Sequence, residues 1–76
     1  MENKLHPTAV EIYFIERVKQ LRTEKGFSQA HLHHQLDVSA GFIGNVEISK
    51  DRAKYNLNML IKLKQILECE YEDLLP

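Results

Sequence analysis

The sequence predicts an all-α fold: a compact bundle of five short helices forming one domain over residues 1–76. Three observations point there. Apolar residues recur at spacings of three and four along most of the chain, and nothing alternates with period two long enough to argue a strand. Thr, Ser and Asn residues that start helices precede those apolar runs. The length of 76 residues, with 43% hydrophobic and 28% charged composition, suits one small core and leaves little room for a deep cleft.

The first helix is expected from about residue 9 to about residue 25. Thr8 and Glu11 make a capping-box pattern, in which the hydroxyl accepts an orphan backbone N–H and the carboxylate reaches back. Val10, Phe14, Val18 and Leu21 then give an apolar stripe, and Gly26 supplies a left-handed stop. Tyr13, Phe14 and Ile15 form an unbroken apolar patch that one face cannot bury, so its far side is expected to meet the N-terminal residues or a second subunit. Residues 1–8 are expected to form a flexible arm. Ser28 caps a second helix with Leu32 and Leu36 on one face, and Asp37 breaks that pattern after about two turns. Ser39 caps a third, over about 39–48, with Phe42, Ile43 and Val46 turned inward. Residues 49–56, rich in charge, read as a loop. Asn56 caps a fourth helix with Leu57, Leu60, Ile61, Lys64 and Leu67 along a stripe, and Tyr71, Leu74 and Leu75 form a short closing turn.

Composition excludes several classes. A single cysteine, Cys69, rules out an internal disulfide and a metal site built on cysteine pairs; its apolar context reads as a small buried hydrophobe. No apolar run approaches the roughly 20 residues that span a bilayer, and the first residues lack a signal peptide's apolar stretch, so the expected location is a reducing cytoplasm. No nucleophile–base spacing and no phosphate-cradling glycine loop is present, so the chain is not expected to be an enzyme, and no cofactor is expected. His31 and His34 lie three apart on one face, with His33 beside them, but no third ligand of known geometry accompanies them; surface histidines are the reading, with no metal.

The informative segment is 28–48. Two short helices joined by only Asp37-Val38-Ser39 cannot lie antiparallel and must cross steeply, which is the geometry of a helix-turn-helix whose second helix enters the DNA major groove. Leu32, Leu36, Val38, Ile43 and Val46 sit where such a pair is pinned.

These residues carry a wider resemblance. Arg17-Val-Lys-Gln-Leu-Arg-Thr-Glu-Lys-Gly-Phe-Ser-Gln29, then Leu32, Leu36, Val38-Ser39, Ile43, Val46-Glu47, Leu57, Leu60, Leu63 and Leu74-Leu75 resemble the phage-repressor/Cro-like (XRE) helix-turn-helix domain over residues 10–75. The resemblance implies that Gln29 touches a phosphate or a base edge. It implies that Ser39, Ala40, Gly41, Gly44 and Asn45 lie at the groove, with Ala40, Gly41 and Asn45 at the base-reading positions. Of these three only Asn45 has a hydrogen-bonding side chain, one that pairs bidentately with adenine. It further implies a partly buried ion pair between Arg22 and Glu47. The chain departs from the family at His33, where a small residue is usual, and at Asp37, where glycine is usual. His33 is expected either to swing to the rim or to open the interhelical angle, and Asp tolerates the left-handed conformation better than most residues. Gly41 and Gly44 each cost the third helix up to about 1 kcal/mol of propensity, which suggests close backbone approach to DNA.

The formal charge of −1 argues against a polycationic nucleic-acid binder until it is divided along the chain. Residues 50–64 carry Lys50, Arg52, Lys54, Lys62 and Lys64 against Asp51, whereas residues 65–76 carry Glu68, Glu70, Glu72 and Asp73 and no cation. The basic stretch follows the recognition helix, where a helix-turn-helix lies along the sugar-phosphate backbone. Lys50, Arg52 and Lys54 are the expected phosphate contacts, with a hydrogen bond from Tyr55 or Asn56 and the N-terminus of the fourth helix behind them. The expectation is a sequence-specific transcriptional regulator bound to double-stranded DNA as a homodimer. The first-helix patch and the acidic, leucine-bearing C-terminal segment are its candidate dimer surfaces. The alternative is a protein-interaction module on the same fold, such as the antitoxin of a toxin–antitoxin pair.

Overall fold

A computed structural model of the chain describes residues 7–48 and 53–76. The helices are α1 (Ala9–Glu24), α2 (Gln29–Leu36), α3 (Phe42–Ile48), α4 (Leu57–Ile66) and α5 (Tyr71–Leu74), and no strand occurs among the described residues. The expected all-α bundle of five helices is what forms.

Three of the helix starts follow the cap residues. Thr8 and Glu11 close a full capping box, with the Thr8 amide 2.8 Å from Glu11 Oε1 and the Glu11 amide 3.2 Å from Thr8 Oγ1. Ser28 Oγ accepts from the His31 amide at 2.9 Å, and Asn56 Oδ1 from the Met59 amide at 2.8 Å. Each removes one of the orphan donors that a helix N-terminus leaves unpaired. The third helix differs. It begins at Phe42, three residues later than its spacing predicts, and Ser39, Ala40 and Gly41 make the turn into it, with the Phe42 amide on the Ser39 carbonyl at 3.1 Å. Ser and Gly both disfavour the helix interior, so the chain turns before it coils. Gly41 therefore costs α3 nothing, and only Gly44 lies inside it.

α1, α2 and α4 end alike. In each, one residue turns left-handed, and its own amide and the next fold back on the last turn: Gly26 (φ 73), Asp37 (φ 61) and Glu68 (φ 53). The paired bonds are Gly26 N to Thr23 O and Phe27 N to Arg22 O, Asp37 N to His34 O and Val38 N to His33 O, and Glu68 N to Gln65 O and Cys69 N to Lys64 O, all between 3.0 and 3.3 Å. This is the Schellman arrangement, which satisfies carbonyls the helix would otherwise strand.

The core gathers Phe14, Ile15 and Val18 of α1, Leu32 and Leu36 of α2, Ile43 and Val46 of α3, Leu60 and Leu63 of α4, and Tyr55, Leu67 and Leu74. α2 packs on both α3 and α4, and α1 on α3 and α5. Arg17 Nε donates to the Asp73 carbonyl at 2.7 Å and ties α1 to the closing helix. Two expected stripes narrow in the structure. Val10 (52% exposed), Leu57 (78%) and Ile61 (51%) stand at the surface instead of in the core, because the packed neighbours cover less than the full apolar arc. Tyr13 is also exposed, whereas Phe14 and Ile15 beside it are buried. Pro7 is buried; residues 1–6 of the expected arm lie outside the described residues.

Candidate nucleic-acid interface

α2 and α3 are joined by residues 37–41, a connection of five residues where three are expected, because the turn at Ser39, Ala40 and Gly41 precedes the helix. Asp37 takes the left-handed position at its start, with φ 61 and ψ 50. His33 resolves its crowding by turning toward this connection. Its Nδ1 lies 3.2 Å from the Val38 carbonyl, and since a carbonyl only accepts, that nitrogen carries the proton. The ring stays half-buried and packs beside His34, with centroids 4.2 Å apart. His31 rests on Phe27 at 4.4 Å. Cys69 is half-buried, not fully covered, and burial pushes its thiol up.

Behind the two helices a polar network locks their positions. Arg22, 8% exposed, donates from Nε to Glu47 Oε2 at 2.7 Å and from Nη2 to Glu47 Oε1 at 2.9 Å. Its Nη1 donates to the Phe27 carbonyl at 2.7 Å. The ion pair implied by the resemblance is thus bidentate, the strong and planar form of the contact. Gln29 joins it: Nε2 donates to Glu47 Oε1 at 2.9 Å. One carboxylate on α3 therefore holds a residue from α1 and a residue from α2.

On the other side of α3, Asn45 is exposed, as are Ser39, Ala40 and Gly41 in the turn before it. Gly44 lies below Gln29, and a Cβ placed there would meet Gln29 Oε1 at 3.4 Å. Gln29 and Gly44 thus meet beside Glu47, and Asn45 follows Gly44 as an exposed residue.

The basic segment divides. Lys50 and Arg52 lie outside the described residues. Lys54 is placed, and its ammonium lies 3.0 Å from Glu11 Oε2 at the start of α1. The backbone N–H of Thr8, followed by the hydrogen bond from Lys54, holds the Glu11 carboxyl below its usual range. Asn56 spends its side-chain oxygen on the α4 cap and keeps its amide N–H groups. Tyr55 is not at the surface. It is 4% exposed, its ring set between Phe14 and Phe42 with centroids 5.5 and 6.0 Å away, so the expectation of a hydroxyl aimed outward gives way to core packing. Among the described residues its hydroxyl has no hydrogen-bond partner, and burial, with the nearby Glu47 charge, pushes its ionisation well above the ordinary phenol range. Its side chain also lines an open groove of about 610 Å³ with Val10, Phe14, Leu57, Leu60 and Leu75, between the start of α1, the start of α4 and the C-terminal residues.

Comparison with solved structures fits this geometry to known proteins. The restriction-modification controller protein C.AhdI from Aeromonas hydrophila is 32% identical, with a TM-score of 0.64, over 83% of this chain and 92% of that one. The chain belongs to the XRE (Cro-like) helix-turn-helix family. A hypothetical transcription factor from Neisseria shares the fold at 20% identity and TM-score 0.72, over 97% of this chain and 90% of that chain. SinR, the master regulator for biofilm formation solved in complex with DNA, shares it at 24% and 0.67, over 80% and 95%. No protein-family model and no curated sequence matches the chain. No helix among the described residues is long and apolar enough to cross a membrane.

Proposed function

We propose that this XRE-family protein is a sequence-specific DNA-binding transcriptional regulator, with α3 and the turn before it in the major groove and the basic segment that follows on the phosphates. One observation carries this reading. The inner side of α3 is held by a bidentate ion pair, while its outer side presents only small or exposed residues, Gly44 and Asn45, preceded by Ala40 and Gly41. A helix held rigidly from behind and cleared in front is shaped to approach another surface closely. Asn45 is the side chain that pairs with adenine N6 and N7, and Gln29 lies beside Gly44. Lys50, Arg52 and Lys54 neutralise phosphates, and Asn56 donates to one.

A homodimer suits the motif, because two recognition helices then meet successive major grooves about 34 Å apart. Support for a surface comes from the groove, where Val10 of the first helix, Leu57 of α4 and Leu75 of the acidic C-terminal segment converge. The exposed Val10 and Leu57 favour the second reading as well, a protein-interaction module such as an antitoxin.

Random duplexes selected on the purified protein test the proposal. A palindromic winner is expected, bound with an affinity that falls as salt rises. Binding to no duplex overturns the proposal in favour of the interaction module. Affinity indifferent to salt removes the phosphate contacts. Asn45→Ala is expected to lose discrimination between sites while non-specific binding persists.

A further inference from the structure

Of the three cations expected on phosphates, Lys54 is the one within the described residues, and it is already engaged. Its Nζ lies 3.0 Å from Glu11 Oε2. The carboxylate is fixed in place by its other oxygen, because Glu11 Oε1 accepts the Thr8 amide at 2.8 Å in the α1 capping box. That amide and Lys54 together hold the Glu11 carboxyl below its usual range, so the pair is ionised at neutral pH. Water still reaches both partners: the Lys54 side chain is 42% exposed and that of Glu11 30%. An ion pair this open contributes little by itself and can be exchanged for another anion.

We propose that Glu11 is an internal competitor of the DNA phosphates: it holds Lys54 until a duplex displaces it, and so lowers the affinity for DNA of any sequence. The inference rests on the DNA-binding reading above and adds a brake to it. A cation already neutralised by a carboxylate gains little from a phosphate, because the counterion that the phosphate releases is taken up by the carboxylate left behind. The exchange leaves the fold alone, since Thr8 keeps its bond to Oε1 when Oε2 gives up Lys54. Phosphates carry no sequence information, so the brake acts on every duplex alike.

Glu11→Gln removes the charge and keeps an oxygen for the Thr8 amide, so the cap survives. Wild type, Glu11→Gln, Lys54→Gln and the double variant are titrated at several salt concentrations, against the duplex that wild type selects and against an unrelated one. Glu24→Gln, at the far end of α1, controls for net charge; it lies about 20 Å from Glu11, beyond the Debye length of about 10 Å. Glu11→Gln is expected to bind both duplexes about two- to fivefold more tightly at low salt, with a salt slope steeper by about one. Glu24→Gln is expected to show no such gain, and the double variant to bind no better than Lys54→Gln. A gain that persists without Lys54, or that Glu24→Gln matches, is bulk charge and overturns the proposal. Weaker binding by Glu11→Gln overturns it too, because Glu11 would then position Lys54 for the phosphate. If Glu11→Gln does not fold, Lys54→Gln decides alone: its slope is expected to fall by well under one, whereas a fall of about one marks an uncompensated phosphate contact and overturns the proposal. Wild type that binds no duplex is a different failure, that of the DNA-binding reading itself, and is seen before any variant is made.

Discussion

On its inner side α3 carries Ile43 and Val46, both without measurable exposure, and Glu47, whose oxygens bind residues from two other helices. On its outer side, one residue away at each step, stand Gly44 and Asn45, with Ala40 and Gly41 leading in. Every inward group is packed or paired; the outward groups are small and bear little on the fold. The difference shows how seven residues separate two tasks. Substitutions inward are expected to change whether the chain folds and, on the proposed DNA-binding reading, substitutions outward to change what it recognises, so that the outer surface varies while the scaffold stays fixed.

The largest test is the Arg22–Glu47 pair. Arg22→Ala leaves a buried carboxylate with one neutral partner, and breaking such a pair costs about 3–5 kcal/mol, a large share of what a domain this small has. Urea denaturation measures the loss. Replacing both residues, Arg22→Met with Glu47→Leu, is expected to recover most of that stability, because the pair's own attraction barely exceeds the cost of burying it. A single variant as stable as wild type would mean that the inner side is not where the fold is secured.

Tyr55 tests the same side with opposite sign. Its hydroxyl is buried near Glu47 without a partner among the described residues, and an unmade hydrogen bond costs about 1–3 kcal/mol. Tyr55→Phe keeps the ring against Phe14 and Phe42 and removes the unpaired group, so stability is expected to rise by about 1 kcal/mol. A fall would mean that an unseen group satisfies the hydroxyl.

The helix ends mark how much of this was legible. Gly26 announces its left-handed turn by type, and Asp37 by its place in the family pattern, but Glu68 does neither. A glutamate has no left-handed preference; α4 stops there because Leu67 and Leu74 must both enter the core, which is a tertiary demand. Helix starts were plain for a local reason: Thr8, Ser28 and Asn56 bond their own first turns. Arg17 was opaque because its partner is a backbone carbonyl, and any residue has one. In the site, the Arg22–Glu47 pair followed from the resemblance, whereas the burial of Tyr55 and the inward nitrogen of Gln29 depend on neighbours that no spacing reveals. Glu68→Gly removes a left-handed strain of about 1–2 kcal/mol, offset by greater freedom of the unfolded chain, for an expected gain of about 1 kcal/mol in thermal or urea unfolding. The Lys25 contact it loses, at 3.6 Å with Glu68 Oε1 largely in solvent, is worth little.

The smallest effect falls on the outer side and asks whether that side is as free as it looks. Gly44→Ala raises helix propensity by up to about 1 kcal/mol. The new methyl meets Gln29 Oε1 at 3.4 Å, an ordinary contact at the far end of a flexible side chain, so little of the gain is lost to crowding. Unfolding is therefore expected to show a modest stabilisation, about 0.5 kcal/mol after that contact is counted. On the proposed DNA-binding reading recognition is expected to move the other way, because the methyl holds the helix off an approaching base. Greater stability with a weaker preference at one base pair would place the glycine on the reading side alone. A destabilised Gly44→Ala would show instead that the outer side carries part of the fold, and the division between the two sides of α3 would no longer hold.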